Sequence, residues 1–258
     1  MLLKLVNAFS REVDSGNPAG VCIVEEFPAV EKMQEIATEI NFSETAFVKK
    51  LFENNYYIRW FTPNSEAPFC IHATLASAHV LYENNLAEQS AEISFFNMQR
   101  ELKISQEDGW ISVNASSMAV EPQELNHTIS TILKGYNVVY VGLSENVLFV
   151  ELKHSSEVRN FIPKLDLIAS LPYRALLITS KDEEYDFISR YFAPSVAINE
   201  DPVCGSGHCR LTPYWSKKLG KDKMIAYQAS HRGGVIRCEN LKNRVIISGQ
   251  AVTLKKDK

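Results

Sequence analysis

Apolar and polar positions alternate along most of the chain, the signature of strands with one buried face. The runs LLKLVNAF (2–9), GVCIV (20–24), YYIRWF (56–61), AEISFF (91–96) and WISVNA (110–115) read this way. So do NVVYVG (137–142), VLFVEL (147–152), ALLITS (175–180) and VIISGQAVTL (245–254). Turn-forming residues separate them: Ser15-Gly16-Asn17-Pro18, Thr62-Pro63-Asn64, Asp108-Gly109 and Gly233-Gly234. Helical periodicity is rarer. Residues 29–40 place Met33, Ile36, Ala37 and Ile40 on one face. Residues 72–85 carry Leu75, Ala76, Ala78, Val80 and Leu81 and are apolar nearly all round, which predicts a buried helix. Residues 207–221 are similar, with Leu211, Tyr214, Trp215 and Leu219 apolar and Gly220 as the expected stop. Pro213 is a conflict there, since it lacks an amide donor and should kink the helix.

The pattern predicts two strand-rich halves, each with one buried helix preceded by a cysteine, Cys70 in the first and Cys204 in the second. That points to an internal duplication. The expected break lies in the polar, proline-containing stretch Ser116–Leu125. The halves would then be 1–115 and 116–258, leaving open whether the last strand returns to the first half. The fold class is α+β.

Composition narrows the function. Of 258 residues, 45% are hydrophobic, enough for a packed core. The net charge is -4 with acids and bases intermixed, which leaves no electrostatic footprint for nucleic acid or an anionic membrane. The tail LKKDK (254–258) is read as a solvated end. The N-terminal apolar run is broken at Lys4, unlike a signal peptide, and no stretch reaches the length of a membrane span. An odd count of five cysteines without regular spacing argues against a disulfide framework and for a reducing, cytoplasmic setting.

Two short stretches concentrate reactive groups: PFCIHATLA (68–76) and EDPVCGSGHC (200–209). Both sit at the start of an expected helix, where unpaired amides and the helix dipole favour an anion. Gly205 and Gly207 would let a ligand approach the backbone, and Ser206 would cap the helix or donate to that ligand. Cys70 and Cys204 precede the helix starts, a place that lowers a thiol's pKa. His72, beside Cys70, is suited to proton transfer. Glu44 lies among Phe42, Ala46 and Phe47, neighbours that predict a partly desolvated carboxylate of use as a general acid/base. Each group has a plainer alternative: a core thiol, a core or capping histidine, an outward acid on a strand. Cys22, Cys209 and Cys238 are assigned to the core. A zinc site drawn from Cys204, His208 and Cys209, with Cys70 and His72, lacks a standard paired-ligand spacing, so no metal is expected.

Taken together, these residues resemble the PhzF-like isomerases, named for an enzyme of phenazine biosynthesis and related in fold to diaminopimelate epimerase and proline racemase. The matching stretches are SGNPAGV (15–21), NFSETAFV (41–48), IRWFTP (58–63), CIHATLA (70–76), EDPVCGSGHC, PYW (213–215) and QASHRGG (228–234). The middle, 116–180, matches only in strand pattern. The resemblance implies two pseudo-symmetric halves, each a mostly antiparallel sheet rolled around a central helix, with the active site in the cleft between them. It implies no cofactor, a homodimer and a small carboxylate substrate. It assigns Glu44 as the acid/base, His72, Asp201 and Ser206 as groups that bind or polarise substrate, and Asn17, Gly205 and Gly207 to substrate binding.

The chain departs from that pattern twice. Ile71 stands where the family usually has glycine, and a β-branched residue tolerates positive φ poorly. At that substrate-binding position it would narrow the pocket or close it. Cys204 stands where threonine is common, so that Cys70 and Cys204 recreate the two-thiol arrangement of the epimerases. Three readings follow. Glu44 moves a proton on one face of a cyclic or amino-acid-like carboxylate. Alternatively the two thiols invert a stereocentre, as in a racemase. Or the protein binds small molecules without turnover, its cleft filled by Ile71.

Overall fold

The computed structural model describes residues 1–89 and 91–254, so Lys255–Lys258 of the basic tail lie outside the described residues. The chain divides into two compact units, one of Met1–Ala115 together with the segment from Ile246 onward, the other of Ser116–Val245.

The first unit opens with strand β1 (Leu2–Ala8) paired antiparallel to β2 (Asn17–Val24). Helix α1 (Val30–Ile40) then carries the chain across, so β3 (Glu44–Phe52) lies parallel to β2 with Ala19 opposite Glu44. α1 buries Met33, Ile36 and Ala37, the face its periodicity predicts. Strand β4 (Asn55–Phe61) returns antiparallel, followed by the two-residue β5 (Glu66–Ala67). Helix α2 (Ile71–Glu83) makes the second crossover, and β6 (Ile93–Phe96) is parallel to β4. Two antiparallel strands follow, β7 (Glu101–Glu107) and β8 (Trp110–Ser116). α2 is the centre of the unit. Ile71 through Ala78 and Val80 through Tyr82 are all buried, as expected of a helix apolar on every side.

The second unit repeats this order. After β9 (Glu121–Pro122) and helix α3 (His127–Ile132), β10 (Val138–Ser144) pairs antiparallel with β11 (Val147–Leu152). Helices α4 (Ser155–Arg159) and α5 (Leu165–Ala169) make the first crossover, and β12 (Ala175–Lys181) is parallel to β11. Strand β13 (Phe187–Ala193) is antiparallel to β12 and is followed by the short β14 (Ile198–Asp201). Helix α6 (Gly205–Leu219) makes the second crossover, and β15 (Lys223–Gln228) is parallel to β13. Strand β16 (Gly234–Asn240) follows antiparallel to β15. Each unit is thus an α+β sheet with a buried central helix, and the duplication shows in the shared order of antiparallel and parallel steps. The sheets are less uniformly antiparallel than expected. Each has two parallel pairs, because a strand that follows a helical crossover re-enters the sheet in the original direction.

The chain ends with β17 (Arg244–Gly249) and β18 (Ala251–Leu254). Ser248 Oγ meets Ser112 Oγ of β8 at 2.7 Å, and β18 pairs antiparallel with β1, Leu254 opposite Leu5. Gly249 is required by close approach. A Cβ there would lie 2.3 Å from the Phe9 ring and 3.0 Å from Leu75 of α2.

Pro213 is absorbed rather than avoided. α6 continues through it, and the carbonyl of Cys209, which would normally bond the amide that proline lacks, accepts the Met118 amide at 3.0 Å. Gly220, with φ +67°, closes the helix as expected. Trp215 is buried on α6, stacked on Phe187 with centroids 5.7 Å apart and donating to Thr179 Oγ1 at 3.0 Å. Among the described residues no helix is long and apolar enough to cross a membrane.

Candidate active site

The chemistry foreseen in the first unit gathers where β2, β3 and α2 begin. Parallel register places Glu44, the first residue of β3, beside Ala19, two positions beyond Asn17. Cys70 is the N-cap of α2, with extended backbone (φ -150°) and its Sγ accepting the Ala73 amide at 3.4 Å. His72 is therefore the second helical residue, only 4% exposed.

A hydrogen-bonded chain orients this histidine. The Ser43 hydroxyl donates to Asn17 Oδ1 at 3.3 Å, which turns the amide nitrogen toward His72 Nδ1 at 3.2 Å. Nδ1 thus accepts, and the ring proton belongs on Nε2. That nitrogen lies 3.4 Å from Glu44 Oε2 and 3.3 Å from Ser43 Oγ. Burial lowers the His72 pKa, against the opposing pull of the Glu44 charge, so the ring is neutral at physiological pH. The neutral ring therefore faces the Glu44 carboxylate without adding a charge of its own. The Glu44 side chain is 13% exposed, the partly desolvated state read from its apolar neighbours. Cys70 Sγ completes the group at 3.3 Å from Nδ1 and 3.9 Å from Nε2.

Asn17 is fully buried, and its amide meets His72 and Ser43, so it orients the histidine. Ile71 is the first residue of α2, buried and absent from the residues with positive φ. No glycine-only backbone is needed at that position.

The second unit builds the other helix start. Gln228, fully buried on β15, accepts the Cys204 amide on Oε1 at 2.8 Å and donates from Nε2 to the Asp201 carbonyl at 2.7 Å. Asp201 Oδ1 accepts the Val203 amide at 3.1 Å, and Ser230 donates to the Pro202 carbonyl at 2.6 Å. The segment from β14 into α6 is thereby pinned at successive residues. The N-cap is Cys204, whose Sγ accepts the Gly207 amide at 3.3 Å. This corrects the capping role given to Ser206, which lies half-buried on the first turn, its Oγ 3.4 Å from the Cys204 sulfur. It also commits the Gly207 amide, one of those assigned to a ligand. Gly207's absent side chain faces Tyr191 and Cys204 at ordinary contact distance.

The Cys204 thiol also corrects an expectation. A helix start lowers a thiol's pKa, yet this one is raised well above the usual value, because burial outweighs the helix and the Asp201 charge adds to it. Ser206, Gly207 and Arg210 oppose the shift without reversing it. All five cysteines are free and buried, and burial pushes Cys22 and Cys238 up to about 12. The zinc grouping of Cys204, His208 and Cys209 does not form. His208 Nδ1 donates to the Cys204 carbonyl at 2.8 Å, and Cys209 Sγ points to the Gly205 carbonyl.

His208 is a core histidine. Burial takes its pKa down to about 4, and Nε2 has no partner. It folds neutral, whereas in the unfolded chain it gains a proton as pH falls through about 6.5. Its contribution to stability is complete above that value and is lost progressively as the pH drops toward 4. Between about pH 7 and about pH 5 this residue should remove roughly 2 kcal/mol of stability. Urea unfolding of wild type and His208→Leu at both pH values measures it. An equal pH dependence in the two proteins would rule the effect out.

Ser43 and Gln228 are the functional neighbours that sequence reasoning did not single out. Both lie inside matching stretches, NFSETAFV and QASHRGG, but their partners are 26 and 24 residues away. Hydrophobic periodicity carries no trace of such pairings.

A family model described as phenazine biosynthesis-like protein, PhzC-PhzF, matches residues 6–257. An uncharacterized isomerase of Halalkalibacterium halodurans is 39% identical over 254 residues, covering 97% of this chain and 95% of the relative. An uncharacterized isomerase of Pseudomonas aeruginosa is 41% identical over 248 residues, covering 96% and 94%. The crystal structure of a phenazine biosynthesis protein of the PhzF family from Enterococcus faecalis superposes with a TM-score of 0.93 at 36% identity, covering 98% of this chain and 96% of that one.

Proposed function

The chain belongs to the PhzC-PhzF family of phenazine biosynthesis-like proteins, and on that premise we propose that it is an isomerase that shifts a proton between carbons of a small carboxylate, with Glu44 as acid and base. The observation that carries this reading is the pairing of a largely buried Glu44 carboxylate with a neutral His72. Glu44 takes a proton from the carbon next to an electron-withdrawing group. The C–H bond breaks, an O–H bond forms on Glu44, and the electron pair delocalises into the substrate. The same proton then returns to another carbon, so no oxidant or reductant takes part. His72, with Nε2 3.4 Å from the carboxylate, sets the surroundings in which Glu44 works. Within the second unit, Asp201, Ser206 and the Gly205 amide at the start of α6 suit an amino and a carboxylate group.

The two-thiol racemase is the rival reading. It requires one thiolate and one thiol at rest. Burial holds Cys204 protonated, and Cys70 and Cys204 each accept a backbone amide as a helix cap. Those observations favour Glu44. The reading without turnover loses its backbone argument, since Ile71 sits in an unstrained helical position. The test is deuterium uptake from D₂O by a panel of cyclic and acyclic amino carboxylates, followed by mass spectrometry. Exchange should survive in the Cys70→Ser/Cys204→Ser protein to within about tenfold of wild type. Loss by a hundredfold or more would transfer the chemistry to the thiols.

A further inference from the structure

The start of α6 carries a polar group that the proposed chemistry leaves unused. Tyr191 lies on β13 opposite Asp201 of β14 and is only 6% exposed. Its ring covers the first turn of the helix. A Cβ on Gly207 would stand 3.4 Å from Tyr191 Cδ2 and 3.5 Å from Cys204 Sγ. The ionisable side chains that act on the phenol are Cys204, Arg210 and Asp201, all of this same stretch, and Arg174. Buried phenols ordinarily bond to a neighbour, as Tyr56 does to the Leu86 carbonyl and Tyr82 to the Ala91 carbonyl. Among the described residues the Tyr191 hydroxyl has no such partner. Nor is it one of the polar atoms sealed off without a partner, so the little of Tyr191 that is exposed includes this oxygen. Burial raises the Tyr191 pKa, and Cys204 and Asp201 add to the rise against the pull of Arg210 and Arg174. The phenol therefore stays protonated, an unspent donor beside a helix start.

We propose that Tyr191 is a further substrate-binding residue, its hydroxyl donating to a carboxylate held at the start of α6. The Gly205 and Ser206 amides, which have no acceptor inside the helix, supply the other donors. The Gly207 amide is already taken by the Cys204 sulfur. Asp201, on the strand opposite Tyr191, repels a bare carboxylate and attracts an amine, so the preferred ligand carries both groups. An unpaired hydroxyl in a buried position costs the empty protein stability, and the cost is recovered only when an acceptor arrives. Such an arrangement selects for the acceptor. That the ligand is a substrate rests on the isomerase reading; the binding itself does not.

Tyr191→Phe separates packing from binding. It keeps the ring over Gly207 and removes only the unbonded hydroxyl, so the melting temperature should equal or slightly exceed that of wild type. The probe is cycloleucine, an amino acid with a five-membered ring and no proton on its α-carbon, so that no turnover intervenes. Added to isotope-labelled full-length protein, it should move the Gly205 and Ser206 amide resonances in nuclear magnetic resonance spectra. Tyr191→Phe should raise its Kd by about tenfold or more, the effect of one hydrogen bond to a charged group. Cyclopentanecarboxylate, which lacks the amine, should bind both proteins more weakly and show the same ratio. Cyclopentylamine, which lacks the carboxylate, should bind the two proteins equally. A cycloleucine Kd unchanged in Tyr191→Phe would overturn the proposal. So would Gly205 and Ser206 resonances that stay unmoved up to the solubility limit of the probe. Either failure leaves the deuterium experiment to decide the isomerase reading on its own.

Discussion

Glu44→Gln should reduce deuterium exchange into substrate by about 10³-fold or more while leaving the protein folded. Positioned acid/base groups contribute roughly 10²–10⁴-fold, and here one group is asked both to remove the proton and to return it, so its loss falls at the upper end. Glutamine has nearly the same shape. Its amide oxygen can stand where the carboxylate oxygen now lies, 3.4 Å from His72 Nε2. The melting temperature should therefore change little and substrate binding should persist, so that the effect appears in kcat rather than KM. Mass spectrometry of recovered substrate reads the exchange directly. A Glu44→Gln protein that exchanges within tenfold of wild type would exclude a base at this position.

The second large effect is expected at a residue with no chemistry of its own. Gln228→Leu should cost about 1–3 kcal/mol in urea unfolding. Leucine fills a similar volume, so the loss is not chiefly a cavity. It strips the buried Cys204 amide of its partner and takes one bond from the half-buried Asp201 carbonyl, and a buried backbone group left unpaired costs about 1–3 kcal/mol. The same two bonds fix the path from β14 into α6, so Asp201 and Ser206 should lose their set positions and KM should rise. The Glu44–His72–Asn17–Ser43 cluster belongs to the first unit and keeps all its bonds. A stability loss below about 0.5 kcal/mol would mean that other partners replace Gln228.

Much of the fold was legible because burial in this protein follows simple periods. α2 is apolar on every side and is buried on every side; α1 shows one stripe and buries it. β11 and β12 are nearly continuous apolar runs and lie in parallel register, buried throughout except Lys181 at the end of β12. β3 was harder to see, since Lys49 and Lys50 interrupt its apolar run, and its direction depends on where α1 returns the chain. β13, β15 and β16 were not read as strands. Each mixes charged and apolar residues, and strand pairing rather than local preference decides them.

The candidate site divides along the same line. Residue types at helix starts marked Cys70, His72, Cys204 and Ser206 as chemically placed, but which of them caps a helix is a matter of backbone angle. The extended Cys204 takes the cap, and Ser206 is carried onto the first turn. The thiol's proton affinity was misjudged because a helix start and full burial act in opposite directions, and sequence reveals only the first. The support given by Ser43 and Gln228 comes from contacts across more than twenty residues, which no local pattern encodes.

The pairing of β18 with β1 imposes an order on biosynthesis. On a ribosome the strand at residues 2–8 emerges before the rest of its sheet and soon meets β2, but its pairing with β18 must wait until the chain has grown to Leu254. Ser116–Val245, being uninterrupted in sequence, is fully synthesised before then and can close by itself. Through that interval β1 presents an open edge, the kind of surface that invites pairing with another nascent chain. The unit that holds β1 is thus finished after the other, and the pairing of Leu5 with Leu254 seals it.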